Sequence, residues 1–206
     1  MNSFADLSDE ELVRLCQESL PDDVRAFAAL VERYRQQVFA IAYRMLGDAQ
    51  EAEDQAQEVF IKVYRSIKRF RGDAAFSTWL YRITTNSCLD ALAKRRRHLP
   101  SIDLDVAEME ETRLKRVSQR GGRSPEQLAL RNELIECIKD SMMTLRDRER
   151  LVLTLRDVEG LEYQTIADIL SIGMSAVKMR IHRARLAFRH AFARMCRDFL
   201  PAQPHN

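Results

Sequence analysis

A chain of 206 residues, 46% hydrophobic and with a formal net charge of +2, can fill one medium domain or two small ones and is too apolar to be disordered. No run approaches the roughly 18 apolar residues of a membrane span. The N-terminus carries no signal peptide, so the expectation is a cytoplasmic protein without membrane insertion. Only 6 Gly and 5 Pro are present, and apolar residues recur at helical spacing almost throughout, which predicts an all-α fold. Cys16, Cys88, Cys137 and Cys196 lie far apart, with no C-x-x-C pair and no histidine at ligand spacing. They are expected to be reduced core thiols rather than disulfide or metal partners.

In chain order, Ser8-Asp9-Glu10-Glu11 has the pattern of a capping box and predicts a short helix to about Ser19. Asp22 or Asp23 opens a longer helix whose stripe is Phe27, Leu30, Val31, Tyr34, Val38, Ile41, Ala42 and Met45; Gly47 ends it. A third helix, from about Ala49 to Ile67, buries Ala52, Ala56, Val59, Phe60, Val63 and Ile67. A loop from Phe70 to Phe76 follows, and Ser77 is expected to cap a fourth helix running to about Arg97.

From His98 to Arg123 large apolar residues thin out and charges segregate, acids from Asp103 to Glu111 first and bases from Arg113 to Arg123 after. This reads as a tether that is flexible or partly helical. Ser124-Pro125-Glu126-Gln127 then restarts regular structure with a second capping box and Pro at the first helical position. Helices are predicted at about 125–143, 147–158 and 163–170, with a last one from Ser175 to Phe199. The organisation is two small helical domains, 1–97 and 125–199, joined by a flexible linker at 98–124 and followed by a tail at 200–206.

Tyr163 to Arg185 fits a helix-turn-helix. Ala167 is the small residue that lets the two helices cross, Val177 plugs the second into the core, and Ser171-Ile172-Gly173 makes the turn with Gly173 free to take positive φ. On the second helix Val177, Ile181, Ala184, Phe188, Ala191 or Phe192, and Met195 form one stripe. The other faces carry Lys178, Arg180, Arg183, Arg185, Arg189, Arg194 and Arg197, with no acid before Asp198. A merely solvated face normally mixes both signs. A one-sign strip suits a phosphate backbone, and its N-terminal end suits base edges in the major groove.

Lys62 to Arg97 interleaves bases with aromatics: Tyr64, Arg65, Lys68, Arg69, Phe70 and Arg71, then Phe76, Trp79, Tyr81 and Arg82. Most such aromatics are core, yet aromatics beside arginines on a Gly-containing loop are also what an unstacked single strand requires. The blocks Asp54 to Tyr64, Phe70-Arg71-Gly72-Asp73 and Phe76 to Ile83 closely resemble region two of the extracytoplasmic-function (ECF) sigma factors of the sigma-70 family. Leu151 to Arg185, above all Gly160 to Ala167 and Val177 to Arg185, is similar to their region four.

That resemblance implies a sigma factor that carries RNA polymerase to promoters, with core polymerase and promoter DNA as partners. Asp54, Gln57, Glu58, Phe60 and Lys62 would dock on the clamp of the polymerase β′ subunit, and the C-terminal domain on the β flap. Phe70, Arg71, Gly72, Asp73 and Phe76, with Ser77, Thr78 and Trp79, would take a flipped base of the melted −10 element; Arg82 and Asn86 would hold the same strand. Ser175, Lys178, Met179, His182, Arg183 and Arg185 would face the −35 element. The linker would thread the polymerase, its acids from Asp103 to Glu111 imitating RNA. An anti-sigma factor would mask the polymerase-binding faces, and the free protein would be monomeric.

Three places depart from the family pattern. Gln55 and Ala56 stand where apolar residues are usual, Gly173-Met174-Ser175-Ala176 replaces a sequence nearer Pro-Val-Gly-Thr, and Met179 replaces a frequent Ser. A methionine can touch a thymine methyl but cannot hydrogen-bond strongly to a base. A conventional regulator would explain 125–199 and leave the Phe70–Arg82 block unexplained, and a non-DNA-binding decoy would have no need of the basic last helix. An enzyme is the weakest reading: there is no phosphate loop, no nucleophile with a base at motif spacing and no metal cluster, so no catalytic residue, metal or cofactor is expected.

Overall fold

The computed structural model describes residues 4–98 and 125–199, and every regular element among them is helical. The expected linker, the Ser124 cap and the tail after Phe199 lie outside the described residues. Helix α1 spans Asp9–Ser19, α2 Arg25–Leu46, α3 Ala49–Ser66 and α4 Phe76–His98. In the C-terminal half α5 spans Pro125–Met143, α6 Asp147–Leu153, α7 Tyr163–Leu170 and α8 Met174–Met195. No helix among the described residues is long and apolar enough to cross a membrane.

Local chemistry sets most helix ends. The Ser8 hydroxyl accepts from the Glu11 amide at 3.2 Å while the Glu11 carboxylate accepts from the Ser8 amide at 2.7 Å, which closes the predicted capping box of α1. Gly47 ends α2 with φ +82° and donates its N–H to the Tyr43 carbonyl at 2.8 Å, a left-handed turn that costs glycine little. Asp48 caps α3 by accepting from the Glu51 amide at 2.8 Å.

Several boundaries differ from the periodicity reading. Helix α2 starts at Arg25, because the Asp23 carboxylate accepts from the Arg25 amide and closes a turn instead of entering the helix. Helix α4 starts at Phe76, so Ser77 lies inside its first turn rather than at the cap. The predicted helix at 147–158 loosens into a π-helical turn over Thr154–Val158. The last helix stops at Met195, capped by Cys196, and a 3₁₀ turn over Arg197–Phe199 follows.

The N-terminal helices pack round Leu12, Leu30, Val38, Val59, Ile67, Phe76 and Leu80, all at most 3% exposed. Each such side chain contributes about 1.5–3 kcal/mol by leaving water. A second cluster crosses from one half of the chain to the other: Ile41, Met45, Ala52, Cys88 and Leu92 share it with Leu145, Leu151, Leu155, Ile166 and Ile181. The two halves are therefore packed on one another. Helix α4 lies against α7, and α2 meets α6 and the π-helical turn. Gly47 is a further point of approach, since a Cβ there would come within 2.7 Å of Met143 Cε.

Polar links reinforce that seam, and in three of them the N-terminal half supplies the cation. Arg44 pairs with Glu159 at 2.8 Å, Arg96 pairs with Asp147, and the Arg82 guanidinium donates to the Asp168 carbonyl. Asp147 also accepts from Arg150 at 2.9 Å, and Arg150 is only 3% exposed. Burial pulls the Arg150 pKa down, and Asp147 opposes that by compensating its charge.

The cysteine expectation is half right. Cys16 and Cys88 are buried free thiols, and burial pushes their pKa up to about 11 and about 12. Cys137 and Cys196 are joined in a disulfide between α5 and the residue that ends α8. Their sequence separation of 59 hid the pairing, because the fold alone brings the Cα atoms to 5.9 Å.

Candidate nucleic-acid interface

The N-terminal surface is a loop laid over an aromatic cluster. Phe70 packs on Trp79 with ring centroids 4.9 Å apart and meets Phe76 edge-on at 6.1 Å. Phe76 in turn meets Tyr34 at 5.6 Å. The Tyr34 hydroxyl donates to Asp9, and burial together with that carboxylate raises the Tyr34 pKa well above its ordinary value. From beneath, the Gln17 amide nitrogen donates to the carbonyls of Ile67 and Phe70 at 3.1 and 2.8 Å. That brace fixes where the loop leaves α3.

Among the residues singled out, Arg71, Gly72 and Asp73 stand exposed on the loop, and Gly72 takes φ +75°. Phe70, Ser77 and Trp79 are half-buried, while Asn86 is exposed on α4. Phe76 and Thr78 are buried, at 3% and 8% exposure, so they shape the loop's floor and do not present a face to a ligand. Arg82 is half-buried: its guanidinium is engaged by the Asp168 carbonyl of α7, and its Nε is buried without a partner.

On α3, Asp54, Gln57, Glu58 and Lys62 are exposed and Phe60 is half-buried. Helices α3 and α4 enclose an open groove of about 600 Å³, with Asp54 and Glu58 on one wall and Lys94, Arg95 and Arg97 on the other. The Gln55 amide and the Lys62 ammonium both donate to Ser87 Oγ, at 2.8 and 2.6 Å, across its floor. A polar residue at position 55 thus has a structural partner that the departure from the family pattern concealed. Phe60 faces the other way, into a shallow apolar groove of about 480 Å³ with Phe27, Ile61 and Tyr64.

In the C-terminal half the helix-turn-helix is formed by α7 and α8. Ala167 is buried at the crossing, and Val177, Ile181 and Ala184 are buried beneath α8. Ser171, not Gly173, takes positive φ, at +52°; Gly173 is extended and serves as the N-cap of α8. The turn needs its left-handed residue directly after α7, two positions before the glycine. Met195 is 42% exposed rather than part of the stripe, because the helix ends there.

Ser175, Lys178, Met179, His182 and Arg183 all stand exposed on one side of α8. Arg185 points elsewhere. Its guanidinium makes a two-pronged pair with Asp157 at 3.0 and 2.5 Å, and that carboxylate raises its pKa. Arg185 therefore ties the recognition helix to the π-helical turn. No signal in the sequence marks that pairing, since the two residues lie 28 positions apart.

Taken together this is a helical protein with two nucleic-acid-type surfaces, an aromatic loop on one half and a basic recognition helix on the other. The sigma-70 region 2 pattern matches residues 30–98 and the sigma-70 region 4 pattern matches residues 135–188. The RNA polymerase sigma-H factor of Pseudomonas aeruginosa is 38% identical over 194 residues, 92% of this chain and 96% of that protein. The ECF RNA polymerase sigma-E factor of Escherichia coli is 38% identical over 185 residues, 88% of this chain and 92% of its own. A solved structure of the sigma factor RpoE with the anti-sigma factor NepR from Bartonella quintana shares the fold. Its TM-score is 0.61 at 20% identity, covering 81% of this chain and 96% of that one. The chain belongs to the sigma-70 family, within its ECF sigma factors, whose work is promoter-directed initiation of transcription.

Proposed function

We propose that this sigma factor reads a promoter with two surfaces of different chemistry, and that polymerase joins them. Residues 1–97 form the domain for melted DNA, 98–124 the linker and 125–199 the domain for duplex DNA. The observation that carries this reading is the contrast between the braced aromatic loop at Phe70–Phe76 and the exposed Lys178–Arg183 face of α8. Phe70, Trp79 and the loop residues Arg71 to Asp73 receive an unstacked base of the −10 element, whose extrusion costs a few kcal/mol. Phe76 and Thr78 hold the floor of that site, while Ser77 and Asn86 flank it. On α8, Lys178 and Arg183 neutralise −35 phosphates, while Ser175, Met179 and His182 lie over base edges and Arg185 positions the helix through Asp157.

Asp54, Gln57, Glu58 and Lys62 present the docking face for the polymerase β′ clamp, with Phe60 on the neighbouring apolar groove of the same helix, and the C-terminal domain docks on the β flap. Arg82 reaches the −10 strand only after leaving the Asp168 carbonyl, so binding to polymerase must part the two halves first. Neither small surface binds promoter tightly by itself; holding both on polymerase combines them through effective concentration. An anti-sigma factor, of the kind found with the structurally similar RpoE, covers the polymerase-docking faces. The protein acts in the cytoplasm as a monomer when free, without catalytic residues or cofactors of its own.

The test is run-off transcription from a genomic fragment library by core polymerase with and without the protein. New start sites seen only with the protein, sharing two spaced elements, are expected. Binding to core polymerase without new starts would indicate a decoy. Binding to DNA but not to polymerase would replace this reading with a conventional regulator.

A further inference from the structure

Three arginines of the N-terminal half end on oxygens of the C-terminal half: Arg44 of α2 on Glu159, Arg96 of α4 on Asp147, and Arg82 of α4 on the Asp168 carbonyl of α7. The acids are the more enclosed partners. The Glu159 and Asp147 side chains are 15% and 16% exposed, against 36% and 61% for Arg44 and Arg96. Arg82 and Arg96 stand about four turns apart on one side of α4, a span of about 21 Å along its axis, and α2 packs beside that helix. For Arg82 the carbonyl is a poor end. It takes one N–H of the fork, while Nε is buried with no partner. A guanidinium suits oxyanions that carry full charge and meet two of its donors at once.

We propose that Arg44, Arg82 and Arg96 form one track for a nucleic-acid phosphate backbone, and that Asp147, Glu159 and the Asp168 carbonyl occupy it in the closed protein as an internal substitute. This rests on the −10 reading of Arg82 above and extends it to two further arginines. A track of about 21 Å is long enough for several phosphates of one strand, which follow one another every 3.4 Å or so in duplex.

The closed and the bound states are then an exchange of partners. Parting the halves breaks the polar links and returns Asp147 and Glu159 towards water. A bound strand supplies a phosphate to each arginine and, with polymerase holding the halves apart, nothing competes for them. In the free chain the competitor is always present, because it is covalently attached and therefore at high effective concentration. The apolar seam, where Ile41 and Met45 share a core with Leu145 and Leu151, holds the competitor in place. A free strand must displace both, so the closed protein binds strands weakly although Arg44 and Arg96 lie at its surface.

The experiment uses the full chain and a labelled single-stranded DNA oligonucleotide, with binding read by fluorescence anisotropy and size by small-angle scattering. Glu159→Arg sets like charges against each other at Arg44 and should enlarge the free protein. Glu133→Arg makes the same charge change at an exposed site on α5 and should not. The first variant should bind the oligonucleotide roughly tenfold more tightly than the second, because apparent affinity scales with the fraction of open chains. Arg44→Glu combined with Glu159→Arg restores opposite charges and should return the parent size. In the Glu159→Arg protein, adding Arg44→Ala or Arg96→Ala should make the slope of log K against log salt shallower by about 0.7, one single-strand phosphate each. Arg14→Ala, exposed on α1, should leave that slope as it was. Circular dichroism follows folding; were Glu159→Arg to lose helix, Glu159→Gln against Glu133→Gln makes the same comparison with the same sign. A Glu159→Arg protein as small as its parent, or binding no more tightly than Glu133→Arg, would overturn the internal substitute. Slopes indifferent to Arg44→Ala and Arg96→Ala would overturn the track. If no variant gives a start site with core polymerase, the promoter reading fails, whereas the oligonucleotide data still decide the track.

Discussion

The two DNA-type surfaces stand on their cores in opposite ways. In the C-terminal domain the recognition helix separates its tasks by face: Val177, Ile181 and Ala184 are buried, and Lys178, Met179, His182 and Arg183 are exposed. In the N-terminal domain, on the function proposed above, the tasks share side chains. Phe70 and Trp79 are half-buried against Phe76, which also reaches Tyr34 in the core. A duplex reader needs only charge and hydrogen-bonding groups on a rigid rod. A single-strand reader needs apolar flat surface, and in water such surface stays ordered only when the core supports it.

The comparison breaks most visibly at Phe76. Phe76→Ala should remove about 3–5 kcal/mol of stability, because it empties the point where loop and core meet. Chemical denaturation monitored through the lone tryptophan, Trp79, reads this directly, since the indole lies 5.8 Å from the Phe76 ring. A loss below about 1 kcal/mol would mean that the loop is independent of the core, and the contrast between the domains would collapse.

A smaller effect is expected at the seam between the halves. Gly47→Ala places a side chain at φ +82° and a Cβ 2.7 Å from Met143 Cε. The flexible methionine tip can move, so the backbone sets the minimum cost, about 1–2 kcal/mol. Small-angle scattering should show an unchanged free protein if that tip yields, and a larger one if the clash instead moves α5 away from α2. An unchanged radius with lowered stability would confine Gly47 to its role in the turn.

The helices, their order and the recognition helix were legible because each rests on local rules: 3.6-residue periodicity, capping oxygens and one-sign charge. The capping box at Ser8 and the buried Ala167 and Val177 follow from neighbours within a few residues. What escaped depends on long-range approach. The stripe Ile41, Ala42 and Met45 reads as the core of its own domain, yet it also covers Leu145 and Leu151 of the other half. Arg82 and Arg185 read as DNA-facing and Cys137 as a core thiol, and each is claimed by a partner 86, 28 or 59 residues away, respectively. A side chain's chemistry shows what it can bind. Which partner it meets is decided by tertiary packing.

The C-terminal side of the comparison is sharpened by Lys178→Ala. Lys178 is exposed and lies between the buried Val177 and the exposed Met179, so its removal leaves no cavity and disturbs no core packing. Stability should stay within about 0.5 kcal/mol of the parent. Binding of holoenzyme to a −35 duplex should weaken at every salt concentration. The slope of log K against log salt should become shallower by about 1, because one phosphate fewer is neutralised. If instead stability fell while the slope held, Lys178 would belong to the fold, and this helix would share side chains between core and ligand as the aromatic loop does. An unchanged slope at unchanged stability would assign phosphate neutralisation to Arg183 and its neighbours and leave the division of faces intact.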